Sequence, residues 1–251
     1  MIIDGHVHLI PKGFYENHTK IFFDISDLDK WLTNIPNSRA VVMTTITQYC
    51  DSIKINKEFF STIESFPKKK QIFPFLWIHP NQLIEEHFKI FPLSGFKFHP
   101  SISQQQIDTN EKMLELCEKY KKPILVHCGR NEKSRIDYIL NINEYFPELS
   151  FICAHLGGLT TDLIIRSFEK IKNAKYKNNI YMDTSGCFSP NLIIKAIELL
   201  GDDRIIFGSD RPFQDYRVSL YVLKLCNFDK QVFDKILYTN ILNILDSTNS
   251  D

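Results

Sequence analysis

Two histidines one residue apart, His6 and His8, close the first apolar run of the chain, IIDGHVH (2–8). Alternate side chains of an extended strand share a face. The two imidazoles are therefore expected to point the same way, with Asp4 on their side and Ile3 and Val7 on the other. Imidazole nitrogen is a ligand for zinc and its first-row neighbours. Further groups of this kind stand near the ends of later apolar runs: Lys97 and His99 in GFKFH (95–99), His127 in PILVHCG (123–129), His155 in SFICAHL (150–156) and Asp210 in RIIFGSD (204–210). A lone strand histidine is more often a structural hydrogen-bonding group than a ligand, and an isolated Asp210 fits a helix cap about as well. Joint placement shifts the balance, because a divalent cation needs donors that converge from separate elements.

The elements that must position these groups are legible as an alternation. Eight apolar runs, the four above that follow the first together with RAVVMTTI (39–46), IFPFLWIH (72–79), IYMDTSG (180–186) and IIDGHVH itself, are separated by segments with helical spacing. Residues 108–121 put Met113, Leu114, Leu116, Cys117 and Tyr120 on one stripe before Pro123, and residues 189–200 begin with Ser189 as N-cap and Pro190 as first helical residue. Nearly continuous apolar strands alternating with helices imply an α/β fold with parallel strands covered by helices. Eight such units in 251 residues imply one domain, residues 1–251, closed as a (β/α)8 TIM-type barrel. No glycine-rich GxGxxG loop follows the first strand, which disfavours the open doubly wound alternative. In a barrel, chemistry gathers where the C-terminal strand ends meet the βα loops. That is where the histidines, Lys97 and Asp210 fall.

Composition narrows the partner. Thirty basic residues balance thirty acidic ones, so no overall field draws the chain to nucleic acid or an anionic membrane. A small molecule is the expected partner; the oligomeric state is left open. The apolar runs are strand-sized, well short of the roughly 20 residues of a membrane helix. Six cysteines lie far apart without a CxxC pair, and no secretory segment precedes the first run. Free thiols in a reducing cytoplasm are the expectation.

Taken in order over residues 2 to about 212, IIDGHVH, GFKFHP, ILVHCG, AHLGG, MDTSG and FGSDRP resemble the motifs of the amidohydrolase superfamily, in its amidohydrolase-related branch of metal-dependent hydrolases and decarboxylases. LYTNILNIL (237–245) resembles the Asn-containing last helix of that branch. The resemblance implies His6 and His8 as first-strand ligands, His127 and His155 as the fifth- and sixth-strand histidines, and Asp210 as the aspartate that binds or adjoins the metal and takes the proton of the nucleophilic water. The cofactor it implies is one or two divalent ions, zinc first, with manganese, iron or nickel as alternatives. Lys97 decides the number. Some members carry a carboxylated lysine there that bridges two metals, with His127 and His155 on the second ion. As a plain ammonium, Lys97 instead binds an anionic substrate or pairs with a buried acid, and His155 acts beside the water at a single ion.

His99 faces the same mouth or makes an outer hydrogen bond to a ligand, and His79 before Pro80 is open in the same way. Arg130 and Arg211, on βα loops, are candidates for a substrate carboxylate or phosphate, against the commoner fate of facing solvent. Cys128 and Cys153 are expected to pack as small apolar groups. Phe14, Tyr15, Phe22, Phe23 and Trp77 form an aromatic wall or simply pack. The leading activity is hydrolysis of a small ester, lactone, amide or phosphoester by metal-activated water, with decarboxylation by the same branch as the runner-up. TatD-type nucleases share the HxH start, but usually have a GEIGLD-like segment where this chain has GFKFHP, and ETD in place of GSD. A non-catalytic barrel used for binding is the reading from another class. Replacing His6 by Ala or Asp210 by Asn is expected to bring turnover to background while circular dichroism stays native; full activity in either variant overturns the site.

Overall fold

The computed structural model describes residues 1–10, 22–82, 85–175 and 177–246. Phe14, Tyr15 and the polar tail STNSD lie outside the described residues. Eight strands appear where apolar runs stand in the sequence: β1 Ile2–Leu9, β2 Ser38–Thr44, β3 Ile72–Trp77, β4 Gly95–Phe98, β5 Ile124–Val126, β6 Phe151–Cys153, β7 Ile180–Asp183 and β8 Ile205–Ile206. Each pairs in parallel with the next, in the order β1 through β8. The ring closes through Gly5 N–H to Phe207 O at 2.8 Å, Asp210 N–H to His6 O at 2.8 Å and His8 N–H to Arg211 O at 2.7 Å. This is the single-domain (β/α)8 barrel that the alternation implied.

Two apolar layers hold it. Outside the strands, Ala40, Val42, Phe96, Phe98, Val126 and Phe151 pack against the helices. The helix Glu111–Lys119 buries Met113, Leu114 and Cys117, following a short 3-10 turn at Ile107–Thr109. Each such side chain taken fully from water contributes roughly 1.5–3 kcal/mol. Helix starts are capped locally: Asp24 accepts from Ser26 N–H and Asp27 N–H, and Asp51 from Lys54 N–H. Pro190–Leu200 forms as expected, but the Ser189 side chain makes no capping bond. Pro190 still suits the first helical position, where its missing N–H costs nothing. Among the described residues no helix is long and apolar enough to cross a membrane.

Inside the ring, Val41, Met43, Phe75, Leu125, Ile152 and Ile206 meet Ile241, Ile244 and Leu245 of the last helix, Asn240–Asp246. Ile3 belongs to this inner layer and Val7 to the outer one. The strict alternation expected along the first strand is therefore broken. The cause is a register shift between Asp4 and Val7, a bulge at Gly5, where a Cβ would meet Phe207 O at 2.9 Å. An apolar Ile3 thus fills the barrel floor while His6 and His8 turn to its mouth.

The last helix is fastened by Asn240, buried, whose amide donates to Asp202 O and Ile205 O, both at 2.7 Å. Asn240→Ala strands two carbonyls at the foot of β8. The loss is expected to be about 2 kcal/mol or more, lowering Tm by roughly 4–8 °C in a chain of this size. Calorimetry reads it directly, and an unchanged Tm contradicts the anchoring role.

Candidate metal centre

His6 and His8 lie within β1, Lys97 within β4, and the remaining groups just past the strand ends. The expected runs through His99, His127, His155 and Asp210 are longer than the strands observed, and the backbone leaves the extended conformation at His155 and Asp210 and enters a helix after His99. His99 caps the short helix Pro100–Ser103, its Nδ1 accepting from Ile102 N–H at 3.4 Å. His155 (φ 59°), Leu156 (φ 51°) and Asp210 (φ 59°) adopt the left-handed region, which costs a side-chain-bearing residue roughly 1–2 kcal/mol. Strain of this kind persists where the surroundings over-determine the conformation, and it concentrates at functional sites.

The buried His6 and His8 bring their Nε2 atoms to 3.1 Å, and each lies 3.3 Å from Asp210 Oδ1. Their other ring nitrogens decide what this means. His6 Nδ1 faces Asp183 Oδ2 at 2.8 Å, and His8 Nδ1 faces Thr44 O at 3.1 Å, with Thr45 Oγ1 also at 3.1 Å. A carboxylate and a carbonyl only accept. Each neutral ring therefore carries its proton on Nδ1 and turns a lone pair from Nε2 toward the other and toward Asp210. Three acceptors converge with no proton of their own. Ligands 2.0–2.1 Å from a tetrahedral zinc sit roughly 3.3 Å apart, which matches the spacing. His6, His8 and Asp210 are thus a donor set that a divalent cation fits.

Lys97 is buried, with Nζ 3.1 Å from His6 Nε2. Burial lowers its ammonium to about 8 against the pull of Asp210 and Asp183. Burial and the adjacent Lys97 charge bring His6 down to about 4. Burial alone would raise Asp210, but the neighbouring His6 and His8 rings hold it well below the usual carboxylate range. His99 and His127 are pushed well below the ordinary histidine value, chiefly by burial.

His127 and His155 form a second pair, Nδ1 to Nε2 at 3.1 Å. His155 Nδ1 faces Ser185 O at 3.3 Å and Ser185 Oγ at 2.9 Å, which places its proton there. His127 Nδ1–H can then donate to the free His155 Nε2. The rings of His99 and His127 stack at 3.8 Å, and Trp77 lies nearly parallel to His99 at 6.0 Å. Together with His6, His8, Asp210 and Lys97, these three rings and Thr45, Ile102 and Phe213 line a cavity of about 220 Å³. Arg130 is exposed and Arg211 sits over the Phe23 and Tyr216 rings at 4.5 and 5.3 Å; neither is among the cavity's lining residues. His79 is buried outside that lining, and Phe22 is exposed. Cys128 and Cys153 are buried free thiols, as expected.

Sequence reading passed over Asp183, although its place inside an apolar run, two residues from the inward Tyr181, was a signal. Asp4 also departs from its expected role. It turns to the closing strand, accepting from Ser209 Oγ at 2.6 Å, Ser209 N–H at 2.9 Å and His6 N–H at 3.2 Å, and burial raises it to about 7. Between Asp183 and His6 stands Gly208, where a Cβ would meet the Cβ atoms of both at 3.1 Å. Those atoms ride on barrel strands and cannot yield cheaply. Gly208→Ala is expected to destabilise the fold by roughly 1–3 kcal/mol and to weaken metal uptake. A titration with Zn²⁺ or Mn²⁺ alongside a thermal melt checks both, and wild-type values in both refute the tight packing.

A sequence model described as Amidohydrolase matches residues 82–246. No curated protein matches by sequence. Among solved structures, 2,6-dihydroxybenzoate decarboxylase complexed with 2,6-dihydroxybenzoate is similar with a TM-score of 0.75 and 17% identity, over 98% of each chain. A candidate 2-pyrone-4,6-dicarboxylic acid hydrolase from Pseudomonas putida reaches 0.75 at 12% identity, over 98% of this chain and 97% of that one. Dihydroxybenzoic acid decarboxylase from Polaromonas sp. JS666, with bound manganese and 2-nitroresorcinol, reaches 0.75 at 15% identity, over 100% and 98%. At such identities these likenesses speak to the fold alone. The family match extends over more than half of the chain, from the turn that follows β3 to the last helix, and the chain belongs to the amidohydrolase family.

Proposed function

We propose that this chain is a metal-dependent hydrolase that holds one divalent ion on His6, His8 and Asp210 and acts on a small ester, lactone or amide bearing a negative charge. The observation that carries the reading is the set of three acceptors, His6 Nε2, His8 Nε2 and Asp210 Oδ1, within 3.3 Å of one another with both ring protons held elsewhere. Three protein ligands are the usual complement of a catalytic site, which keeps a position open. A divalent ion there supplies Lewis acidity, lowering the pKa of water from 15.7 toward about 7 and polarising a carbonyl. Zinc is the first candidate and manganese the next, with iron and nickel behind them.

The chain's own groups divide the remaining work. Asp210 anchors the donor set and takes the proton released by the attacking water. Lys97 and the Nε2–H of His99, whose Nδ1 already accepts from Ile102 N–H, bind the substrate's anion. His127 faces the cavity with His155 behind it, a pair suited to hold the proton that the leaving group needs. Trp77 and Phe213 keep bulk water out. Because the facing nitrogens of His127 and His155 share one proton, we assign them no second ion and read Lys97 as an unmodified amine.

A second reading, decarboxylation of an aromatic acid, is favoured by the walls. Trp77, His99 and Phe213 enclose a space sized for one planar ring. Protein purified without chelator is expected to carry one ion per chain and to lose stability with EDTA. Absence of stoichiometric metal with an unchanged melt in EDTA sinks the proposal. Two ions per chain, with a carbamate signal in ¹³C NMR under labelled bicarbonate, overturn the single-ion assignment. Carboxylated aryl esters and lactones, assayed beside the release of CO₂ from aryl acids, separate hydrolysis from decarboxylation.

A further inference from the structure

Asp183, at the end of β7, is wholly buried and has both carboxylate oxygens engaged. Oδ2 faces His6 Nδ1 at 2.8 Å. Oδ1 accepts from His155 N–H at 2.9 Å, from Ser185 N–H at 3.0 Å and from the Ser185 hydroxyl. The Ser185 oxygen, having given its proton to Asp183, is an acceptor for His155 Nδ1 at 2.9 Å and also lies 3.3 Å from His6 Nδ1. One carboxylate thus governs two rings that stand on different strands, one directly and one through a hydroxyl. It also holds the amide of His155, a residue in the left-handed region.

We infer that Asp183 is a positioning residue that fixes the ring proton of His6 on Nδ1 and, through Ser185, that of His155 on its own Nδ1. The consequence for metal uptake rests on the reading of His6 as a ligand; the proton placement does not. The asymmetry of the carboxylate makes the inference sharp. Three donors face Oδ1, so an amide substituted for the acid must turn its oxygen to that side. Its NH₂ then faces His6 Nδ1 and donates, which drives the His6 proton to Nε2 and fills the lone pair aimed at Asp210. Asp183→Asn therefore preserves shape and volume while reversing one tautomer.

The test uses the full chain, metal-free and labelled with ¹⁵N in histidine, with two-bond ¹H–¹⁵N spectra to report the tautomer of each ring. The wild type is expected to show His6 as Nδ1–H, and Asp183→Asn to show it as Nε2–H. In parallel, Zn²⁺ competition against a chromophoric chelator is expected to find Asp183→Asn 10- to 100-fold weaker, the usual cost of losing a ligand's outer partner. Ser185→Ala, which keeps the residue 185 carbonyl 3.3 Å from His155 Nδ1, is expected to leave His6 unchanged and to weaken, without abolishing, the preference of His155 for Nδ1–H, a pattern that a general loss of structure would not give. A wild-type His6 protonated on Nε2, or a His6 tautomer indifferent to Asp183→Asn, overturns the inference. If that variant does not fold, the wild-type and Ser185→Ala spectra decide alone. A wild type that binds no Zn²⁺ but shows the expected tautomers refutes the proposed function and leaves the role of Asp183 standing.

Discussion

Proton placement at the mouth of the barrel is the constraint on which the site depends. In its neutral form each of the His6 and His8 rings has its single proton held by an acid or a carbonyl behind it, so the lone pairs face each other and a carboxylate. Such an arrangement repels itself, and Lys97 can offer a proton to one of the three acceptors only. The charges are also unbalanced. Two carboxylates, Asp183 and Asp210, share this group with one amine, Lys97, so with all three ionised it carries a net negative charge. Removing charge from water is costly unless it is compensated. A divalent cation would reverse the sign and leave a site that favours an anionic ligand.

The barrel makes this arrangement tolerable by separating its ends. At the floor, Ile3, Phe75 and Leu125 pack on the last helix in an apolar layer. At the mouth, polar residues replace that layer within the same strands: Trp77, Lys97 and Asp183 each follow an inner apolar or aromatic position two residues earlier or lie beside one. The bulge at Gly5 does the same in β1, where an uninterrupted pleat would have put Ile3 and His6 on opposite faces. The left-handed backbone at His155 and Asp210 then swings their side chains over the mouth, and the hydrogen bonds to Asp183 and His6 O hold those turns in place.

How far this could be read from sequence follows from what periodicity encodes. The eight strands were legible because apolar runs mark burial on both faces, and the histidines and Asp210 because polar groups at the ends of such runs are costly without a purpose. The strand ends were not legible. A residue such as His155 continues the apolar pattern while its φ leaves the strand, and pattern carries no dihedral. The bulge was hidden for the same reason, since Gly5 reads as one more strand residue. Asp183 was passed over because it stands in a run that carries no histidine. Its inward parity was present, but its value lies in facing His6 from 177 positions away in the chain, and a tertiary hydrogen bond leaves no local mark.

The two histidine pairs show why distance alone does not assign a metal. His6 with His8 and His127 with His155 each bring two ring nitrogens to 3.1 Å. In the first pair both outer nitrogens meet acceptors, so no proton remains for the gap. In the second pair, among the described residues, only His155 is fixed from behind, by Ser185, and the His127 proton can be placed between the rings. One gap is therefore electron-rich on both sides and the other is bridged by an ordinary hydrogen bond. What separates a cation site from a proton-sharing pair in this barrel is the number of acceptors behind the rings, and that number was set by β2 and β7, strands that contribute no candidate ligand themselves.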